Sequence, residues 1–294
     1  MKFFRSPCAL LCLGLALLWP RVGAAEMSAA ATPARESFVF AQAGREVKVW
    51  YFQPPGITPR SPVVFVMHGV QRNGEDYLNE WIEAATAKKF LLVVPEFSKA
   101  QFPGEEGYIY GNTVDEAGRA IPRDQWAFGL IEPIFDTVRE KLGNTSERYL
   151  IYGHSAGAQF VHRFIYFMPH ARYARAVAAN AGWYTLPDLT VDFPYGLRGT
   201  VVDAEMVRTA LARPVVVLLG EADIDPKHPS LRRTPESDLQ GTYRLARGKY
   251  FFAQAQKIAT ESRFPFGWTI GFAPGVAHSN RDMTPFATRA LFPE

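Results

Sequence analysis

The chain has 294 residues, 48% hydrophobic and 21% charged, which supplies enough apolar material for one large or two small globular domains and excludes a fibrous or disordered protein. Its 32 Lys and Arg exceed its 29 Asp and Glu, but Lys2, Arg5 and Arg21 all lie in the first 25 residues, where there is no acid. The remainder is balanced at 29 of each sign, so charge gives no reason to expect nucleic acid or an anionic membrane as partner.

Lys2 and Arg5 precede an uncharged run over residues 9–19, and the small residues Gly23, Ala24 and Ala25 follow. This is the pattern of a Sec signal peptide cleaved after Ala25. The run is about half the ~20 residues a membrane-spanning helix needs, and neither Cys8 nor Cys12 follows the small-residue pattern of a lipoprotein site. An exported protein, periplasmic or secreted and without stable membrane insertion, is expected. Cleavage would remove both cysteines, leaving no disulfide, metal thiolate or thiol nucleophile. Residues 26–37, rich in Ala, Ser and Thr and holding Pro33, read as a flexible segment leading into one domain over 38–294.

From residue 38 onward, short apolar runs alternate with helical patterns. Strands are expected at 38–40, 47–52, 63–67, 91–95, 149–152, 176–179, 215–219 and 268–272. The inner ones are continuously apolar and rich in Val, Leu and Ile, as in strands buried on both faces of a parallel sheet. Between them, residues 124–142 carry Trp126, Leu130, Ile134, Val138 and Leu142 at a spacing of four, one apolar stripe of a helix. Less regular helical patterns occupy 78–89, 156–168, 204–212 and 242–262. The alternation implies a doubly wound, mostly parallel eight-stranded sheet with helices on both faces and an antiparallel start. Residues 98–123, 184–202 and 226–241, punctuated by Pro and Gly, fit neither period and read as functional loops.

Residues 149–152 run straight into Gly153-His154-Ser155-Ala156-Gly157, where a helical pattern begins. G-x-S-x-G has chemical meaning in that context: a sharp turn holds the serine in strained geometry, and its neighbours two positions away must be small for strand and helix to approach. Ser155 then stands at the start of a helix whose amides favour a developing negative charge.

This segment resembles the nucleophile elbow of the α/β-hydrolase superfamily, and the order of elements resembles that fold over most of the chain. The elbow, the His68-Gly69 loop leading to Trp81, and then Val94-Pro95-Glu96 look most like exported carboxylesterases and polyhydroxyalkanoate-depolymerase-like hydrolases. The resemblance implies triad partners in the order acid, then histidine, after the serine. Of six histidines, only His278 follows the last expected strand, where the family's base belongs. The acid belongs after the strand at 215–219, where Asp223 and Asp225 are both available; the family's usual spacing selects Asp223 and leaves Asp225 to cap a turn. The oxyanion hole would be the main-chain amides of Val70 and Ala156. His68 would brace its loop, and Gln71 could add a donor. One glycine stands in the His68-Gly69-Val70 loop where some lipases have three, which argues against bulky lipase-type alcohols.

Trp183, just past the sixth expected strand, would line the substrate cleft as an aromatic does in similar polyester hydrolases. Phe102, Tyr108, Tyr110 and Tyr195 in the irregular loops point to an apolar or aromatic substrate. No large lid is expected. No histidine pair or carboxylate cluster has ligand spacing, and no Gly-rich phosphate loop follows the first strands, so neither metal nor cofactor is implied. The implied reaction is hydrolysis of a small, aromatic or polyester-type carboxylic ester through an acyl-enzyme on Ser155. A serine peptidase or acyltransferase would use the same triad. A non-catalytic binding protein on this fold would lack a triad member, and none is missing.

Overall fold

A computed structural model describes residues 35–293. Within it the eight apolar runs become β1 (Arg35–Gln42), β2 (Arg45–Phe52), β3 (Val63–Met67), β4 (Leu91–Glu96), β5 (Tyr149–His154), β6 (Tyr173–Ala179), β7 (Val215–Gly220) and β8 (Trp268–Ala273). They form one sheet in the order β1-β2-β4-β3-β5-β6-β7-β8. The pairs β1/β2 and β2/β4 are antiparallel, and every later pair is parallel. β1 starts at Arg35 rather than at 38, because its first residues pair with the end of β2, Arg35 opposite Phe52. The last three residues of the expected flexible segment therefore belong to the sheet; its earlier part and the signal-peptide pattern lie outside the described residues.

Sheet residues alternate between two apolar layers, as the period of two demands. In β3, Val63, Phe65 and Met67 pack into one layer and Val64 and Val66 into the other. The first layer lies against α2 (Ile131–Leu142), α3 (Ala156–Phe167), α4 (Ala204–Ala212) and α6 (Arg244–Ser262); the second lies against α1 (Gly74–Lys88) and α7 (Asn280–Leu291). A six-residue helix, α5 (Pro235–Gln240), sits inside the segment expected to be all loop, capped by Thr234 and Ser237 in a reciprocal pair of hydrogen bonds. The stripe at 124–142 is buried as expected, but regular helix begins only at Ile131, after two single 3₁₀ turns. Pro133 explains this: lacking an N–H, it is tolerated in a first turn and not in an interior. α7 escaped the sequence reading because Pro285 lies inside it, although Ser279 caps it and Met283, Ala287 and Leu291 keep helical spacing. None of the described helices is long and apolar enough to cross a membrane.

From β3 the chain steps to β4 on one side, then crosses to β5 on the other. The carboxyl ends of β3 and β5 therefore meet where the winding reverses, the place at which open α/β sheets form a crevice.

Trp81 is fully buried in the second layer, with its ring centre 4.7 Å from that of Tyr152. Trp81→Ala is expected to lower unfolding free energy by about 3–5 kcal/mol in urea titration.

Candidate active site

β5 ends in His154, and α3 begins at Ala156, so the whole change of direction falls on Ser155, at φ 57° and ψ −116°. Such geometry costs roughly 1–3 kcal/mol and persists only where the surroundings enforce it. A Cβ on Gly153 would lie 2.1 Å from the Gly157 carbonyl oxygen, and one on Gly157 would lie 2.0 Å from the Met67 carbonyl oxygen. The two glycines thus let the helix rest against the strands it leaves.

At this edge the loops after β7 and β8 deliver two further groups. The Ser155 hydroxyl lies 2.9 Å from His278 Nε2, and His278 Nδ1 lies 2.7 Å from Asp223 Oδ2. Asp223 is buried at 3% exposure, its backbone oxygen accepting from Leu245 N. Asp225 is exposed and accepts from Lys227 N, capping a turn away from the imidazole. His154 lies beside His278, the rings tilted with centres 4.7 Å apart, and Tyr77 Oη is 3.3 Å from its Nδ1.

The loop after β3 is braced from below. His68 Nε2 accepts from Phe97 N at 3.0 Å, the Tyr108 hydroxyl donates to His68 O, and Arg72 donates to Phe97 O and Gly104 O. Burial pushes the His68 imidazole down to about 3, and burial likewise holds His154 and His162 well below the ordinary histidine range. Val70 and Ala156 border the same pocket as Ser155, and the Ala156 amide is the first of α3, where no intrahelical acceptor exists.

Ser155 stands between two depressions. One, of about 270 Å³, is bordered by Arg72, Glu105, Gln159, Trp183, Arg232 and Arg244. The other, of about 430 Å³, is bordered by Gln71, Tyr77, Glu80, His154, His228 and His278. Trp183 reaches the first only at 1% exposure, with the guanidinium carbons of Arg163 and Arg232 lying 4.3 and 4.8 Å from its ring centre. Trp183 borders this depression, whereas the loop aromatics Phe102, Tyr108, Tyr110 and Tyr195, expected there too, do not. Phe102, Tyr108 and Tyr110 are buried, Phe102 edge-on to Phe97, Tyr108 tilted against Phe97 and Phe160, and Tyr110 edge-on to Phe193, while Tyr195 is tied to Thr234 and Arg232. The lining is mixed: the guanidinium groups and Glu105 share it with Val70, Ile109, Pro229 and Leu231. Arg72, Arg232, Arg244, Glu105 and Ser230 were not singled out from sequence, although four of the five lie in or beside loops flagged as functional.

No protein-family model matches the chain, and no curated protein matches it. Solved structures do. A poly(aspartic acid) hydrolase-1 from Sphingomonas sp. KT-1 is 46% identical over 88% of this chain and 99% of its own, with a TM-score of 0.86. LpqC, a poly(3-hydroxybutyrate) depolymerase from Bordetella parapertussis, is 35% identical over 89% of this chain and 90% of its own, TM-score 0.84. An S-formylglutathione hydrolase from Agrobacterium tumefaciens shares the fold at 17% identity, covering 88% of this chain and 93% of its own, TM-score 0.58.

Three buried neutral imidazoles make the site sensitive to acid. Since their protonation in the folded state is suppressed, the unfolded chain binds more protons below the ordinary histidine value of 6.5, and stability falls as pH drops from there toward 3, the folded value of His68. Unfolding free energies from urea titration should decline across that window, by up to ~1.4 kcal/mol per pH unit for each such histidine; a free energy unchanged between neutral and mildly acidic buffer would contradict this.

Proposed function

The chain belongs to the esterase- and depolymerase-type α/β-hydrolases, and from that premise we propose that it is an exported enzyme hydrolysing carboxylic esters through an acyl-enzyme on Ser155. The observation that supports this most is the unbroken relay from Ser155 through His278 to Asp223, 2.9 and 2.7 Å long. His278 Nε2 takes the hydroxyl proton as Oγ attacks the ester carbonyl. Asp223 holds the Nδ1–H tautomer and stabilises the imidazolium. The amides of Val70 and Ala156 receive the oxyanion, at a helix start that favours negative charge. His278 then returns the proton to the departing alcohol, and water repeats the attack on the acyl-enzyme.

The pocket supports a substrate with an acidic or carbonyl-rich chain. Three guanidinium groups border it against one carboxylate, Glu105. Arg232 is half-buried, bonded to Glu105 and Tyr195, and lies near the Trp183 ring. A substrate carboxylate reaching Arg232 would replace Glu105 as its partner. The 46%-identical relative is named for poly(aspartic acid), a polymer with a carboxylate on every unit, and the 35%-identical one for a polyester.

A fluorophosphonate probe should label the wild type and not Ser155→Ala, which should also lose kcat on p-nitrophenyl butyrate by on the order of 10⁴–10⁶-fold. Rapid turnover of aminoacyl-anilides without turnover of esters would favour a peptidase instead. Arg232→Gln should raise KM for p-nitrophenyl succinate about tenfold while leaving the neutral butyrate ester nearly unchanged. Equal effects on both esters would remove the carboxylate preference.

A further inference from the structure

The relay does not end at Asp223. Its second oxygen, Oδ1, lies 3.3 Å from Arg244 Nη1, and both side chains are buried, at 1% exposure for Arg244 and 3% for Asp223. Arg244 is the first residue of α6, and the amide of Leu245 beside it donates to the Asp223 carbonyl. Its other amino group, Nη2, donates to Ser230 Oγ at 2.9 Å and lies 3.2 Å from His228 Nδ1. The guanidinium thus clamps the β7 loop at both ends of its approach to the site, and it borders the substrate pocket together with Ser155.

Resting on the serine-hydrolase reading, we propose that Arg244 is a positioning residue of the catalytic relay: it fixes the Asp223 carboxylate so that Oδ2 faces His278, and its charge opposes protonation of the base. The Ser-His-Asp relay needs only one carboxylate oxygen on the imidazole, which leaves the other to be satisfied or to rotate. A buried guanidinium on that second oxygen removes the rotation. It also divides the carboxylate's attraction between two cations, so an imidazolium gains less from Asp223 than it would alone.

The groups facing this cluster are His154 from β5, Tyr77 and Glu80 from α1, Tyr184 from the loop after β6, Asp225, His228 and Ser230 from the loop after β7, and Arg247 one turn along α6. The positive charge is felt among them: burial first, then His278 and Arg244, holds His154 below the ordinary histidine range, and burial, then Arg244 and His278, does the same to His228.

The test is the second-order rate constant for inactivation by a small neutral fluorophosphonate, followed across roughly pH 5 to 9. This probe carries no group for the arginine pocket, so a role of Arg244 in substrate binding does not enter. A rate constant, unlike an amplitude, is not lowered by a fraction that is irreversibly inactive. Arg244→Gln should lower the plateau by about tenfold, the worth of one charged hydrogen bond, and move the acidic limb to higher pH. Arg244→Lys, which keeps the charge without the fork, should hold the limb at its wild-type position and recover part of the plateau. An Arg244→Gln limb that superimposes on wild type, or an Arg244→Lys profile no different from that of Arg244→Gln, would overturn the inference. Failure of the wild type itself to react would instead defeat the serine-hydrolase reading on which it rests.

Discussion

A helix that begins one residue after a strand ends must lie against the strands it leaves, and here that contact is possible only because positions 153 and 157 carry no side chain. The Met67 carbonyl of β3 and the Gly157 backbone of α3 occupy the space a methyl group would need. From this follow the strained backbone of Ser155, the projection of its hydroxyl beyond the sheet, and the aim of the α3 amides at the same point. Close contact across β3, β5 and α3 also explains why the loop after β3 lies beside Ser155: β3 ends at Met67, opposite Gly153, and the chain turns at once through Gly69 and Val70.

Around that point the protein fully buries three arginines, Arg163, Arg244 and Arg247. Isolated buried charges are destabilising, and each of these is answered differently. Arg244 meets Asp223, and Arg247 meets Asp238 with the carbonyls of Gly182, Arg232 and Gly241. Arg163 meets Thr185, the oxygens of Ile109 and Gln159, and the faces of Trp183 and Tyr110, and burial lowers its affinity for a proton to about 10. All three bond to segments that carry no regular structure. They do for those loops what a ladder of backbone hydrogen bonds does for the sheet, so a site made of loops has a rigid floor.

How much of this was readable beforehand depended on whether a local rule governed it. The eight strands and the helices over 204–212 and 242–262 were legible because burial on two faces, or on one stripe, imposes a period on adjacent residues. The helix over 280–291 was not, since Pro285 contradicts the local rule and only packing of Met283 and Leu291 against the second layer outweighs it. The aromatic loop residues were read with the wrong orientation for a similar reason: Phe102 and Tyr108 lie in irregular backbone, where no period says which side faces inward, and each found the core.

The sequence alone determined the succession of the eight strands and most of the helices between them, the strained turn at Ser155, and the short set of histidines and aspartates near it, because each of these is written in residues a few positions apart. Only the tertiary structure decided that Asp223 rather than Asp225 meets His278, that Trp183 is covered by arginines, and that Arg244 stands behind the acid. Those choices pair residues 20 to 55 positions apart, and their distances depend on how the loops close over the sheet, which no local spacing encodes.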